Sequence, residues 1–193
     1  MSKIIKFNTE DALSNDVKPV EQIPIFNLVT PKLEKTPVFD FSNPPVDPTA
    51  FASSLVETCI KAKGISLSAP QCGYPYRVFV MGANQEYVAF FNPRLLGTST
   101  NDAHLVEGCL SHTGLAVRIT RPASISVHYQ DFNGVSHETE FYGMTARAFQ
   151  HELDHLDGTD YSLRAKPLAM KSALKKQHNL FKSAEKFSKL IKK

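Results

Sequence analysis

The segment TARAFQHELDHLDG, residues 145–158, sets the hardest condition on the fold. Phe149, Leu153 and Leu156 recur at spacings of four and three, and Gly158 follows in a stop position, so the spacing predicts a helix of three turns or more. The same helix carries His151, Glu152 and His155. Residues four apart on a helix are separated by about 40° of rotation and one turn of rise, so the two imidazoles can converge on one point. Neutral imidazole is a good ligand for zinc, ferrous iron, cobalt or nickel. Glu152, next to the first ring, can reach a water on such an ion as general base without itself binding the ion. The motif fixes only three positions and supplies no third ligand.

Downstream of His155 the only histidine is His178 and the only glutamate is Glu185, both in a basic tail. Upstream, VEGCLSHTG offers Cys109 in a glycine-containing loop just before a predicted strand. Two imidazoles and one thiolate on a divalent ion leave a net charge of about +1 and one open position for water, which the ion acidifies towards neutral pH. A third segment, GISLSAPQCG from Gly64 to Gly73, combines small residues that permit close approach with Gln71, whose amide can donate to a developing oxyanion. Taken alone, Gly64 reads equally well as a helix stop and Gln71 as a polar loop residue.

The rest of the chain supplies an α+β setting. At 193 residues it has the size of a single domain spanning 1–193, with a loose arm over 1–20 and a basic terminal helix over 166–193. Three prolines between Phe41 and Phe51 precede a helix expected over Pro48 to Lys63, with Asp47 as N-cap, Pro48 in the first helical position, Phe51, Leu55 and Cys59 on its apolar stripe, and Gly64 ending it. YRVFVMG and YVAFFNP have the composition of strands. ISVHYQDFNGVSHETEF predicts a hairpin closed by positive-φ residues at Asn133 and Gly134, which makes His128 and His137 ordinary strand residues. Met170, Leu174, Phe181, Ala184, Phe187 and Ile191 mark an apolar stripe on a last helix whose other face is mostly lysine.

The net charge of +3 conceals an asymmetry: residues 164–193 carry nine net positive charges, leaving the first 163 residues six charges negative. A partner specific to the tail follows, rather than a basic domain. Three cysteines are too few and too odd in number for a disulfide framework. No apolar run is long enough for a membrane span, and the first residues resemble neither a secretory signal nor a transit peptide, so a cytoplasmic location with no membrane partner is expected.

The order and separation of GISLSAPQ, EGCLS and QHELDH resemble the peptide deformylases, whose motifs run G-x-G-x-[AS]-A-x-Q, E-G-C-x-S and Q-H-E-x-x-H. FFNPRL, which looks like the strand and Asn-Pro turn of that family, together with ITRP, YQDFNG and DGTDYSLR, extends the likeness over roughly residues 26–165. The resemblance implies short antiparallel sheets surrounding a central helix that bears the H-E-x-x-H motif, with one helix before and one after. It implies Cys109, His151 and His155 as metal ligands and Glu152 as the proton-handling group. The Gln71 side chain and the Leu110 backbone N–H would stabilise the oxyanion, and Glu107 would support the loop from beneath. Gly64, Ile65, Ser66, Gly114, Met144 and Ala148 are the candidates for contact with substrate, the methionine side chain lying towards Ile65, Met144 and Ala148. The cofactor would be one divalent ion, ferrous iron in the cell, with zinc, nickel or cobalt able to substitute. The activity implied is removal of the formyl group from N-formyl-methionyl nascent chains as formate. Most of the basic helix lies outside the likeness, and its charge together with that substrate gives two readings, a solvated face packed by its apolar stripe onto the body or a contact with ribosomal RNA, with no DNA partner.

Two departures from the pattern matter. Ser66 stands where the first motif carries its second glycine, and Thr113 and Ala116 occupy places where the family often has proline and a basic residue, with Arg118 a possible substitute. Two other readings remain open at this point. One is a general metallopeptidase that uses only the H-E-x-x-H helix. The other is a formyl-peptide or ribosome-binding module without turnover.

Overall fold

The computed structural model describes residues 34–83 and 86–191, so the expected arm over 1–20 lies outside the described residues. Helix α1 spans Pro48–Lys61, strand β1 Ser66–Ser68, β2 Val78–Ala83, β3 Glu86–Thr98, β4 Asp102–Gly108, β5 Ala116–Pro122, β6 Ser124–Gln130 and β7 Ser136–Tyr142, followed by α2 over Gly143–Leu156 and α3 over Pro167–Ile191. The strands form an antiparallel five-stranded sheet in the order β1-β2-β3-β6-β7 and a separate antiparallel pair, β4-β5. The α+β expectation holds.

Strands β2 and β3 read as continuous apolar runs because both faces of the sheet are covered. Val78 and Val80 of β2, with Tyr87, Ala89 and Phe91 of β3, pack with Phe51, Leu55 and Cys59 of α1. The alternate residues Phe79, Met81 and Phe90 join Phe149, Leu153 and Leu156 of α2 on the other face. The period-two alternation of a strand thus sorts one sequence run into two cores. A third cluster joins Val117 and Ile119 of β5 to Tyr161 and to Ala173 of α3.

The start of α1 is as the sequence predicts: the Asp47 carboxylate accepts from the Ala50 N–H at 2.7 Å, and Pro48 takes the first helical position. Its end differs. The helix finishes at Lys61 rather than Lys63, and the left-handed residue is Lys63, at φ 57°, not Gly64. Gly64 is small for another reason: a Cβ there would sit 2.9 Å from Leu110 Cδ1 and 3.1 Å from Cys59 Sγ. Burial pushes the Cys59 and Cys72 thiols up to about 12, so both are inert packing groups.

Two turns also depart from expectation. Asn92-Pro93 is no turn but an irregularity inside the single long strand β3, with Asn92 at φ 51° and its carboxamide bonded to both backbone groups of Phe39. At the β6–β7 hairpin only Gly134 has a positive φ, 78°. The loop is longer than a two-residue turn because the Asp131 carboxylate accepts from the Asn133 and Val135 N–H groups, while the Asp131 carbonyl accepts from Gly134. A turn followed by one left-handed glycine needs no positive φ at Asn133.

Every residue of α2 from Ala146 to Leu156 is buried, six of them polar or charged. A helix covered on all sides must find partners for such groups. Its C-terminal carbonyl at Leu156 accepts from the Thr36 N–H and hydroxyl and from Arg77. The terminal helix behaves differently. Among the described residues of the helix only Ala169, Met170 and Ala173 join the core, whereas Leu174, Phe181 and Phe187 are 49%, 48% and 65% exposed. The apolar stripe thus joins the core only in the first turns of α3 among the described residues. Helix α3 runs beyond the last element that covers it among the described residues.

Candidate metal centre

Strand β4 delivers Cys109 one residue after its last paired position, Gly108, which stands opposite Ala116 at the start of β5. The connection between them folds into two successive turns, with His112 N–H donating to the Cys109 carbonyl and Leu115 N–H to that of His112, each at 3.0 Å. This brings Cys109 Sγ within 3.3 Å of His155 Nε2. The ligand atoms of Cys109, His151 and His155 all lie within 4.8 Å of one another.

The ring of His151 is held from behind. Its Nδ1 is 3.0 Å from a carboxylate oxygen of Glu107, which can only accept, so Nδ1 carries the proton and Nε2 keeps its lone pair. Glu107 also accepts two hydrogen bonds from Arg121, at 2.7 and 2.9 Å, and one from Arg147 at 2.8 Å. Arg121 continues to Asp154 at 2.7 Å, and Asp154 in turn pairs with Arg164. Three of the buried polar groups of α2, Arg147, His151 and Asp154, thus belong to one ion-pair network. Burial alone would raise Glu107, but Arg121, His151 and Arg147 more than offset it and hold this carboxyl well below the usual carboxylate range. The same opposition acts on the ligands: burial is outweighed by mutual attraction, which lowers the Cys109 thiol and raises His151. Thiolate and imidazole are the donor set of zinc or ferrous iron, and three converging donors beside an unpartnered buried carboxylate oxygen fit one such ion.

Two further side chains reach the same place. Gln71 Oε1 accepts from the Ser68 N–H at 2.8 Å and from the Ser68 hydroxyl at 2.9 Å, so its amide nitrogen points the other way, to Cys109 Sγ at 3.3 Å and Ser111 Oγ at 3.2 Å. Glu152 Oε1 accepts from the Ser66 hydroxyl at 2.6 Å, and Oε2 is buried without a hydrogen-bond partner among the described residues. Burial pushes the Glu152 carboxyl up from its ordinary value, against the opposing pull of His151 and the two serines.

A cleft of about 360 Å³ opens onto these groups, and Gly64, Ile65, Ser66, Gln71, Glu107, Cys109, Leu110, Met144, Ala148, His151 and Glu152 all line it. Ile65 and Met144 are half exposed, at its mouth. Gly114 is the exception among the predicted contacts. It faces helix α3, where an added Cβ would meet Leu180 Cδ2 at 3.1 Å, and Thr113 beside it accepts from Gln177. Arg118 stands directly opposite Val106, which lines the cleft, so both share one face of the β4-β5 pair. The sequence reading missed Ser68, Ser111, Arg121, Arg147, Asp154 and Arg164. A charged residue on a helix predicted to be buried is the signal that could have found Arg147 and Asp154. Tyr161 was missed as well: its ring lies 5.0 Å from that of His151 and its hydroxyl donates to the Leu115 carbonyl.

Residues 24–171 match the family described as Polypeptide deformylase. Among curated relatives, the chain is 40% identical over 114 residues to the peptide deformylase of Chlorobaculum tepidum, covering 55% of this chain and 60% of that protein. It is 38% identical over 130 residues to that of Thermotoga neapolitana, covering 67% of this chain and 79% of the relative. The chain therefore spans about 60% of the length of the Chlorobaculum protein it matches. In three dimensions it resembles a Plasmodium falciparum peptide deformylase, with a TM-score of 0.73, 29% identity and coverage of 84% of this chain and 96% of the other. A peptide deformylase from Synechococcus elongatus, solved in complex with actinonin, gives a TM-score of 0.71 at 27% identity, covering 83% and 90%.

Proposed function

Because the chain belongs to the polypeptide deformylase family, we propose that it hydrolyses the formyl group from N-formyl-methionyl termini of new polypeptides, releasing formate. The observation that carries this reading is the convergence of Cys109, His151 and His155, with Glu152 and Gln71 at the same cleft floor. Cys109, His151 and His155 would hold one divalent ion, ferrous iron in the cell with zinc, nickel or cobalt able to substitute, which when bound would supply an acidified water and polarise the formyl carbonyl.

The chain's own groups do the rest. Glu152 takes a proton from the attacking water at Oε2 and gives it to the departing amine. Gln71 Nε2 and the Leu110 backbone N–H donate to the former carbonyl oxygen as charge builds there. Glu107 keeps the proton on His151 Nδ1, so that Nε2 remains a ligand. A formyl carbon carries only hydrogen beyond its carbonyl, so the wall formed by Gly64 and Ser66 admits it and excludes an acetyl group. The methionine side chain lies towards Ile65, Met144 and Ala148. Formate release from formyl-Met-Ala by anaerobically purified protein, with metal analysis of the same sample, tests the proposal; absence of formate from a metal-loaded sample refutes it.

The exposed lysines of α3, among them Lys171, Lys175, Lys182 and Lys186, support contact with ribosomal RNA through salt-dependent phosphate interactions. Deleting residues 182–193 removes five lysines while leaving the packed turn at Ala173 in place. The truncated protein is expected to bind ribosomes more weakly and to turn over small peptides normally; unchanged ribosome binding refutes the contact. No helix among the described residues is long and apolar enough to cross a membrane. A cytoplasmic location suits a thiolate ligand that oxidation would destroy.

A further inference from the structure

We infer that Ser66 and Ser68 of strand β1 are a pair of positioning residues, Ser66 fixing the carboxylate of Glu152 and Ser68 fixing the amide of Gln71. The inference rests on the proposed hydrolysis, and it assigns the departure at Ser66 a definite task.

Side chains two apart on a strand point to the same face. On β1 the intervening Leu67 packs into the core shared with α1, which leaves Ser66 and Ser68 facing away from it. β1 is also the edge strand of its sheet, paired only with β2 in that sheet, so no neighbouring strand stands between these serines and α2. Ser66 reaches across 86 residues of sequence to Glu152 Oε1 at 2.6 Å. With that oxygen engaged, the carboxylate cannot rotate freely about its last bond, and the other oxygen is the one left to exchange a proton. A glycine at this place, as in the resembling motif, offers no such donor.

Ser68 acts on the oxyanion donor in the same manner. A carboxamide whose oxygen receives two hydrogen bonds, at 2.8 and 2.9 Å, must turn its nitrogen to the opposite side. That side is the one occupied by Cys109 Sγ and Ser111 Oγ. Should the amide flip, it would offer a lone pair where negative charge is to be stabilised, reversing the sign of its contribution. Holding each group before substrate arrives is what makes its contribution available without reorganisation.

A competing account gives Ser66 only a steric role against the substrate and Ser68 only a local role in the turn Ala69–Cys72. Steady-state kinetics on metal-loaded protein with formyl-Met-Ala separate the two. Ser66→Ala and Ser66→Gly are both expected to lower kcat by roughly tenfold to a hundredfold, the worth of one hydrogen bond to a charged group. KM should stay within about twofold, because the interaction is made to the general base and not to substrate. Metal content and melting temperature should match wild type. Ser68→Ala should lower kcat in the wild-type background and have little further effect when combined with Gln71→Leu, since the hydrogen bond of its hydroxyl is made to Gln71. The inference is overturned if Ser66→Gly keeps kcat and lowers KM, or if the Ser68 and Gln71 effects multiply. An inactive wild type sinks the hydrolysis and this inference together, whereas an active wild type with unaffected serine variants sinks this inference alone.

Discussion

Replacing Glu107 by glutamine changes almost no volume, yet it should damage both folding and metal binding, and the structure says by how much. Glu107 accepts four hydrogen bonds: Arg121 Nε and Arg147 Nη1 meet Oε1, while Arg121 Nη2 and His151 Nδ1 meet Oε2. A carboxamide has one acceptor oxygen. With its nitrogen at the Oε1 place it confronts two arginine donors; at the Oε2 place it confronts Arg121 and the His151 N–H. Either way two of the four bonds become donor against donor, and two buried guanidinium groups lose part of their neutralising charge. Removing one partner of a buried pair typically costs about 3–5 kcal/mol.

The second orientation has one escape. His151 can move its proton from Nδ1 to Nε2 and accept from the amide, but the proton then sits on the nitrogen that must bind the ion. Metal affinity should therefore fall roughly 10–100-fold, the usual effect of losing such a partner. Denaturant unfolding of metal-free protein and competition titration with a zinc chelator measure the two quantities separately. The pH dependence carries a sign. Because the folded Glu107 carboxyl is held below its ordinary value, the stability it contributes is fully present above an unfolded pKa of about 4.3 and is lost as pH falls towards the folded value. The gap between wild type and Glu107→Gln should accordingly be widest above pH ~5 and narrow on acidification. A variant that binds zinc like wild type and loses less than about 1 kcal/mol would show that the network neither orients His151 nor matters to the fold.

Three further outcomes are expected. Cys109→Ala should abolish stoichiometric metal binding, read by metal analysis after desalting; retention of a full equivalent would point to a different third ligand, as in a general metallopeptidase. Asp47→Ala removes the acceptor of the Ala50 N–H and should cost α1 about 1 kcal/mol, measured by denaturant unfolding, with formate release unchanged. Gly64→Ala places a methyl group 2.9 Å from Leu110 Cδ1, so Leu110 must shift at the cleft wall and KM for formyl-Met-Ala should rise; an unchanged KM would show that Leu110 yields at no cost to substrate binding.

The chemistry carried within one helix is legible in the chain's own spacing. His151, Glu152 and His155 need only the pitch of an α-helix to be brought together, and the stripe of Phe149, Leu153 and Leu156 declares that the helix is packed. The apolar runs around Val78 and Phe90 likewise announce strands covered on both faces. Local rules mislead where a side chain from elsewhere intervenes. Asp131 reshapes the hairpin that Asn133-Gly134 alone would dictate, and Gly64 owes its size to Leu110 and Cys59 rather than to the end of α1. Gly114 is close to Cys109 in sequence, which suggests a place in the cleft, but the turn after Cys109 carries it to α3.

The sequence by itself determined which elements form and which groups within a turn of one another can act together, because helix pitch and strand alternation are properties of the local backbone. Tertiary structure alone decided that Cys109 meets His155 across 46 residues, that Ser66 meets Glu152 across 86, and that the charges of α2 find Glu107 and Arg121 on the other sheet. Such contacts depend on how β1 and the β4-β5 pair pack against one buried helix. No spacing along the chain encodes that distance, since it is set by the summed packing of every side chain between them.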